Sequence, residues 1–171
     1  MDLSDHSTFR VAACDLNGQM RGKRVPASYA EKLSKGAVRM PLSVLNVDIF
    51  GADIDGSPLV FETGDADGIL RPTGRGPVPM PWLDGAPPLV PMTMYFEDGT
   101  AFDGDPRHAL ENTLKRYAEH GWSVVAATEL EFTLVDDTSE VLAPVKDPQT
   151  GRPLETPDIL SVAQLDAFDD F

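Results

Sequence analysis

Seven of the 15 prolines in this chain lie between Pro72 and Pro91. Each fixes φ near the polyproline value and removes a backbone donor, so neither a helix nor an unbroken strand can run through RPTGRGPVPMPWLDGAPPLVP. Until its end the stretch reads as an extended connection, and regular structure must be sought before it and from its last residues onward.

Ahead of it, Phe9, Val11 and Ala13 alternate with Arg10, Ala12 and Cys14, and Asp15-Leu16-Asn17-Gly18 follows. Asn-Gly between two strand-like runs is a strong hairpin signal, because a type I′ turn needs positive φ at both central residues. The return strand runs from Gln19 to Val25. Ser28-Tyr29-Ala30-Glu31 reads as a capping box opening a helix, and Gly36 as its stop. Strands are predicted at Leu42–Val47, Pro58–Glu62 and Leu89–Phe96. Hairpin, helix, then further strands is the element order of a β-grasp unit.

Beyond the prolines, Asp105 suits an N-cap and Pro106 the first helical position. Ala109, Leu110, Thr113, Leu114, Tyr117 and Ala118 form a helical stripe, ended by Gly121. Trp122–Val135 is the most regular strand pattern in the sequence. Its even positions are almost wholly apolar, while its odd positions set Glu129 and Glu131 among small residues. Ile159, Val162, Leu165, Phe168 and Phe171 then recur every three residues, like the opening of an amphipathic helix that the chain leaves unfinished. This reads as the amino-terminal piece of a longer protein.

Charge narrows the function classes. Lys and Arg number 14 against 28 Asp and Glu, for a net charge of -14. Such a chain repels phosphate backbones and anionic membrane surfaces, which argues against nucleic-acid and membrane partners. No apolar run reaches the roughly 18 residues of a membrane span, and MDLSDHSTFR is no secretory signal. The single cysteine, Cys14, rules out an internal disulfide and a cysteine-clustered zinc site. A cytoplasmic protein is the resulting expectation.

Glu129 and Glu131 are the sharpest candidates for chemistry. On a strand they point the same way, with Cα atoms about 6.5–7 Å apart. That spacing suits one carboxylate on each of two adjacent hard cations, Mg²⁺ or Mn²⁺. It equally suits a solvated strand face. Arg21-Gly22-Lys23-Arg24 reads as an anion site or a charged edge that discourages aggregation. Asp65 and Asp67 lack the rest of a calcium loop and read as a turn. His108 and His120 read as helix-end residues, and Cys14 as a small core residue.

VAACDLNGQMRGKRVP, TGDADGILRP with VPMPW, GDPRHALENTLKR and ATELEFTLVD together resemble the amino-terminal part of the glutamine synthetase family, over about Phe9 to Phe171. The Asp-Leu-Asn-Gly-x-x-Arg-Gly-Lys-Arg-Val-Pro wording resembles the branch that joins glutamate to putrescine or other amines. The resemblance implies an α+β fold: a disordered leader at 1–8, a β-grasp domain at 9–100, and the start of an incomplete catalytic domain at 101–171. It implies that Glu129 and Glu131 ligate Mg²⁺ or Mn²⁺ beside ATP and glutamate. It also implies that Asp48 serves the ammonium or amine site of a neighbouring subunit, hence a homo-oligomer. Val47-Asp48-Ile49-Phe50-Gly51 departs from the Asp-Gly-Ser-Ser wording of the ammonia-using enzymes. The remaining metal ligands, the ATP-binding segment and the glutamate-binding arginines of that family lie beyond Phe171.

Two functions follow. One is the amino-terminal fragment of an ATP-dependent glutamate–ammonia or glutamate–amine ligase working through γ-glutamyl phosphate, inactive as 171 residues alone. The alternative is a non-catalytic β-grasp assembly or regulatory protein.

Overall fold

The structure is a computed structural model; it describes residues 3, 5–138, 140–148, 150–154, 162 and 166. It is a mixed α+β chain whose backbone contacts divide into two units, Met1–Val124 and Val125–Phe171. The division falls at Val124, after the helix that the sequence assigned to a second domain starting at 101.

The first unit is built on a five-stranded sheet. β1 (Thr8–Cys14) pairs antiparallel with β2 (Met20–Pro26), from Thr8 opposite Pro26 to Cys14 opposite Met20. β3 (Val38–Pro41) pairs antiparallel with β4 (Asp67–Pro72), and β4 with β5 (Leu89–Tyr95). β1 and β5 run parallel at the centre, and the spatial order is β2-β1-β5-β4-β3. Pro91 can occupy a central strand because it stands where β5 passes from pairing with β1 to pairing with β4. One face of the sheet holds Phe9, Val11 and Leu70 with Val90 and Met94, all at 0% exposure. Buried Leu33 packs with them in the same cluster. Leu3 belongs to this core too, although it lies in the segment read as a leader.

The first hairpin forms where predicted, with a different turn. Asn17 does not take positive φ, whereas Gly18 does, at 79°. Gly18 N–H donates to the Asp15 carbonyl at 3.2 Å, and Asp15 N–H to the Gln19 carbonyl at 2.9 Å. The loop is therefore Leu16-Asn17-Gly18, a three-residue connection with glycine in the left-handed position rather than a two-residue type I′ turn.

Residues Ala27–Lys35 are helical but wound as a 3₁₀ helix, ending at Gly36 with φ 70°. The capping box is not formed: Pro26 occupies the N-cap position, with no side-chain cap bond, and Ala27 N–H donates to the Ser7 carbonyl at 3.0 Å. Two predicted strands are short helical turns instead, a 3₁₀ turn at Leu42–Leu45 and α1 at Pro58–Phe61. In the first, Asn46 turns its amide to the Gly104 carbonyl at 3.1 Å. In the second, Pro58 sits at the first helical position, where its missing N–H costs nothing.

α2 (Pro106–Glu119) starts as the sequence indicates, with Asp105 as N-cap accepting from Arg107 N–H at 2.9 Å. Its apolar stripe is not buried: Leu110, Leu114 and Tyr117 are 56%, 40% and 44% exposed.

The Trp122–Val135 strand is the main correction. Residues 123–134 carry no helix or strand, and only β6 (Val135–Asp136) pairs, with β7 (Ala143–Pro144). Val125, Leu130 and Phe132 are 95%, 86% and 77% exposed. A strand is held by ladder partners and by something apolar on its face, and the described residues supply neither to this segment. The repeat at Ile159, Leu165, Phe168 and Phe171 lies outside the described residues.

Candidate functional site

One end of the sheet gathers the β1–β2 turn against the segment around Asp48. Asp15 anchors it. Its side chain is wholly buried, with Oδ1 accepting from Asn17 N–H and Gln19 N–H at 2.8 Å each. Oδ2 accepts from Arg21 Nε at 2.8 Å. Burial alone raises the carboxyl pKa, but the Arg21 guanidinium and the two backbone donors outweigh it and hold Asp15 below the usual carboxylate range. Asp15 is a structural anion.

From this turn and the start of β2 two side chains, those of Asn17 and Arg21, reach toward Asp48. Asn17 Nδ2 donates to the carbonyls of Val47 at 2.9 Å and Asp48 at 3.1 Å. Leu16 N–H donates to the Leu45 carbonyl at 3.1 Å. The Arg21 guanidinium lies over Gly51, where a Cβ would come within 3.0 Å of Nη1. Gly51 has φ 86°, which suits glycine twice over.

Asp48 itself closes a tight loop. Its N–H donates to the Ala52 carbonyl at 2.9 Å, and its own carbonyl accepts from Gly51 N–H at 3.0 Å. Its Oδ1 accepts from Phe50 N–H at 2.9 Å and Ala52 N–H at 2.8 Å. Oδ2 has no hydrogen-bond partner among the described residues. One oxygen shapes the loop and the other takes no part in it. The flanking Ile49 and Phe50 are 71% and 92% exposed.

The second candidate stands apart in kind. Glu129 and Glu131 are exposed residues of the irregular 123–134 segment. Among the described residues no group of three or more His, Cys, Asp or Glu side chains converges on a metal position. The pair offers two hard oxygen donors, which fit part of a Mg²⁺ or Mn²⁺ shell and not a whole one.

The start of α2 is structural. Asp105 Oδ2 accepts from Met94 N–H at 2.8 Å, and His108 Nε2 hydrogen-bonds the Met94 carbonyl at 2.8 Å. These side chains satisfy the β5 backbone past the end of its pairing with β1. His108 is 4% exposed and packs edge-on to Tyr95, so it is a buried strut rather than a helix-end cap. His120 is the C-cap residue of α2, as the sequence suggests, beside Trp122. Cys14 is half-buried, and burial together with the Asp15 charge raises its thiol pKa, which disfavours the reactive thiolate.

Sequence reading named Asp48 and the glutamate pair but missed Asp15, Asn17 and Arg21 as a unit. The signal was present: an Asp placed before Asn-Gly accepts from backbone two residues on, and a basic residue follows within reach.

The chain has relatives among known proteins. The glutamine synthetase catalytic-domain profile matches residues 103–171. The γ-glutamylputrescine synthetase PuuA of Escherichia coli (strain K12) is 34% identical over 163 residues, covering 94% of this chain and 34% of that protein. The γ-glutamylethanolamide synthetase GlnA4 of Streptomyces coelicolor is 31% identical over 80% of this chain and 30% of that protein. Among solved structures, the GmaS/ADP complex matches with a TM-score of 0.53 at 26% identity, over 70% of this chain and 26% of that one. A novel glutamine synthase homolog matches with a TM-score of 0.58 at 19% identity, over 70% of this chain and 28% of that one, which speaks to the fold alone. The fold is thus of the glutamine synthetase type. The chain belongs to the glutamine synthetase family, near its putrescine-ligase branch. It spans about a third of the length of these curated relatives.

Proposed function

We propose that the full-length protein is an ATP-dependent glutamate–amine ligase and that residues 1–171 are its amino-terminal part. The observation that carries this is 34% identity to a γ-glutamylputrescine synthetase sustained over 94% of the chain. In this reaction ATP phosphorylates the γ-carboxylate of glutamate, and an amine nitrogen displaces phosphate to form the amide. On this reading Oδ2 of Asp48, which has no partner among the described residues, attracts a protonated amine and takes its proton as the nitrogen becomes nucleophilic. Exposed Ile49 and Phe50 beside that carboxylate favour an acceptor with a hydrocarbon chain over ammonia.

Glu129 and Glu131 would hold Mg²⁺ or Mn²⁺, with the rest of the shell supplied by later residues. Bound there, the cations neutralise phosphate charge during phosphoryl transfer. We read the first unit as a β-grasp domain, a reading supported by its central parallel pair and by the helix that follows the first hairpin. The same proposal makes the protein a cytoplasmic homo-oligomer in which Asp48 serves a neighbouring subunit.

The test is phosphate release by the full-length protein with ATP, Mg²⁺ and glutamate, varying the amine among putrescine, ethanolamine and ammonia. Glutamate-dependent release that is faster with an alkylamine than with ammonia is expected, and none from residues 1–171 alone. No glutamate-dependent release with any amine would reject the ligase and favour a non-catalytic assembly or regulatory role.

A further inference from the structure

We propose that the β1–β2 turn is the positioning element for Asp48, with Asn17 and Arg21 as its positioning residues; the functional half of this rests on reading Asp48 as the amine-facing carboxylate. The Asp48 loop is short, exposed and free of regular secondary structure, so its conformation must come from specific bonds. Within the loop the bonds come from Asp48 itself, and they would hold the same shape wherever the loop was carried. What ties the loop to the sheet comes from the turn and the start of β2. Asn17 Nδ2 bridges the Val47 and Asp48 carbonyls at 2.9 and 3.1 Å. Arg21 covers the glycine at the far side of the loop.

Asn17 and Arg21 share one origin. The buried carboxylate of Asp15 holds Asn17 through its backbone N–H and Arg21 through Nε, each at 2.8 Å. A charged, buried, fully bonded anion is a rigid base, and it fixes both reaching side chains at once. Neither Asn17 nor Arg21 has a role in the chemistry; they act through Asp48. Lysine at 21 would keep the charge opposite Asp15 but lose the planar head that lies over Gly51.

The experiment combines amide exchange on this chain with kinetics on the full-length protein. Asn17→Ala is expected to speed exchange of the Phe50 and Ala52 amides by about tenfold, with Leu70 and Met94 in the sheet unchanged. In the full-length protein it should raise the KM for the amine by about tenfold while kcat and the KM for glutamate stay within twofold. Arg21→Lys should move the same readings in the same direction by less. Unchanged loop exchange in both variants overturns the positioning role, and so does a rise spread evenly over the sheet. Asp48→Asn separates the two ideas. If it leaves the amine KM unchanged while Asn17→Ala still loosens the loop, the amine-facing reading falls and the positioning stands. If Asp48→Asn raises the amine KM while Asn17→Ala alters neither exchange nor KM, the positioning falls and the amine-facing reading stands.

Discussion

β1 and residues 122–135 are written in the same alternating grammar, and the structure treats them oppositely. In β1, Phe9 and Val11 are at 0% exposure, with β2 on one side and β5 on the other. In the later segment Val125 is 95% exposed, and residues 123–134 pair with nothing among the described residues. Alternation states which face a strand would bury if it had neighbours; the neighbours decide whether the strand exists. β1 receives one partner from a hairpin closed within a few residues. The other, β5, is delivered parallel across some 75 residues of intervening chain.

The largest test of that contrast attacks the pairing itself. Gly22 lies opposite Ala12, where any Cβ would run into the Val11 carbonyl oxygen and the Ala12 side chain. Gly22→Val should therefore cost about 4 kcal/mol or more, a large part of an ordinary domain's stability. Denaturant unfolding followed by circular dichroism measures it. A midpoint within error of the parent would show that the β1–β2 ladder is not close-packed at this point.

Removing the charge under the turn comes next. Asp15→Asn keeps the shape but breaks the pair with Arg21, for about 2–3 kcal/mol near neutral pH. The sign with pH follows from its pKa, which is lowered in the folded state. A lowered carboxylate contributes stability that is present above its unfolded value of about 3.9 and lost as pH falls through the folded value. The gap between parent and variant should therefore be full near pH 7 and close progressively below about pH 4. A gap that widens in acid would contradict the assignment.

The turn offers a smaller effect. Gly18 has φ 79° and no atom within 4 Å of where a Cβ would stand. Strain is thus separated from crowding, and Gly18→Val should cost about 1–2 kcal/mol. An unchanged thermal midpoint would mean that the turn relaxes to another form.

These same residues show what the sequence could reveal. The hairpin, the left-handed stop at Gly36, the Asp105-Pro106 helix start and β5 were legible because each rests on local chemistry: a turn glycine, a cap, an apolar run. β3 and β4 were not legible. Gly68 sits inside β4 because Leu42 Cδ2 and Met94 Cγ would each lie 2.8 Å from its Cβ, a reason that exists only once the sheet is assembled. The strand predicted at Leu42–Val47 winds as a 3₁₀ turn at Leu42–Leu45, since short apolar runs do not separate the two and Asn46 is held by the Gly104 carbonyl, 58 residues on. Within the site, the glutamate pair was named by its strand spacing and Asp48 by family resemblance. The Asn17 bridge was not, because nothing local says where an exposed amide will find its carbonyls.

The smallest effect is expected where the second region is unpaired. Glu129 and Glu131 lie on exposed, irregular backbone, so in residues 1–171 Glu129→Gln and Glu131→Gln should each change stability by no more than about 0.5 kcal/mol. A larger loss would mean that the pair already supports structure in this chain, which would remove the contrast with β1. The same substitutions carry a second expectation in the full-length protein. If each carboxylate serves as a donor to a bound cation, each variant should need about tenfold more Mg²⁺ or Mn²⁺ for half-maximal activity and turn over more slowly when saturated. Titrating the metal at fixed ATP and glutamate measures both. Full activity in both variants at limiting metal would reject the ligand role and leave the pair as a solvated face. Small loss of stability here with large loss of activity there is the pattern of residues kept for chemistry rather than for folding.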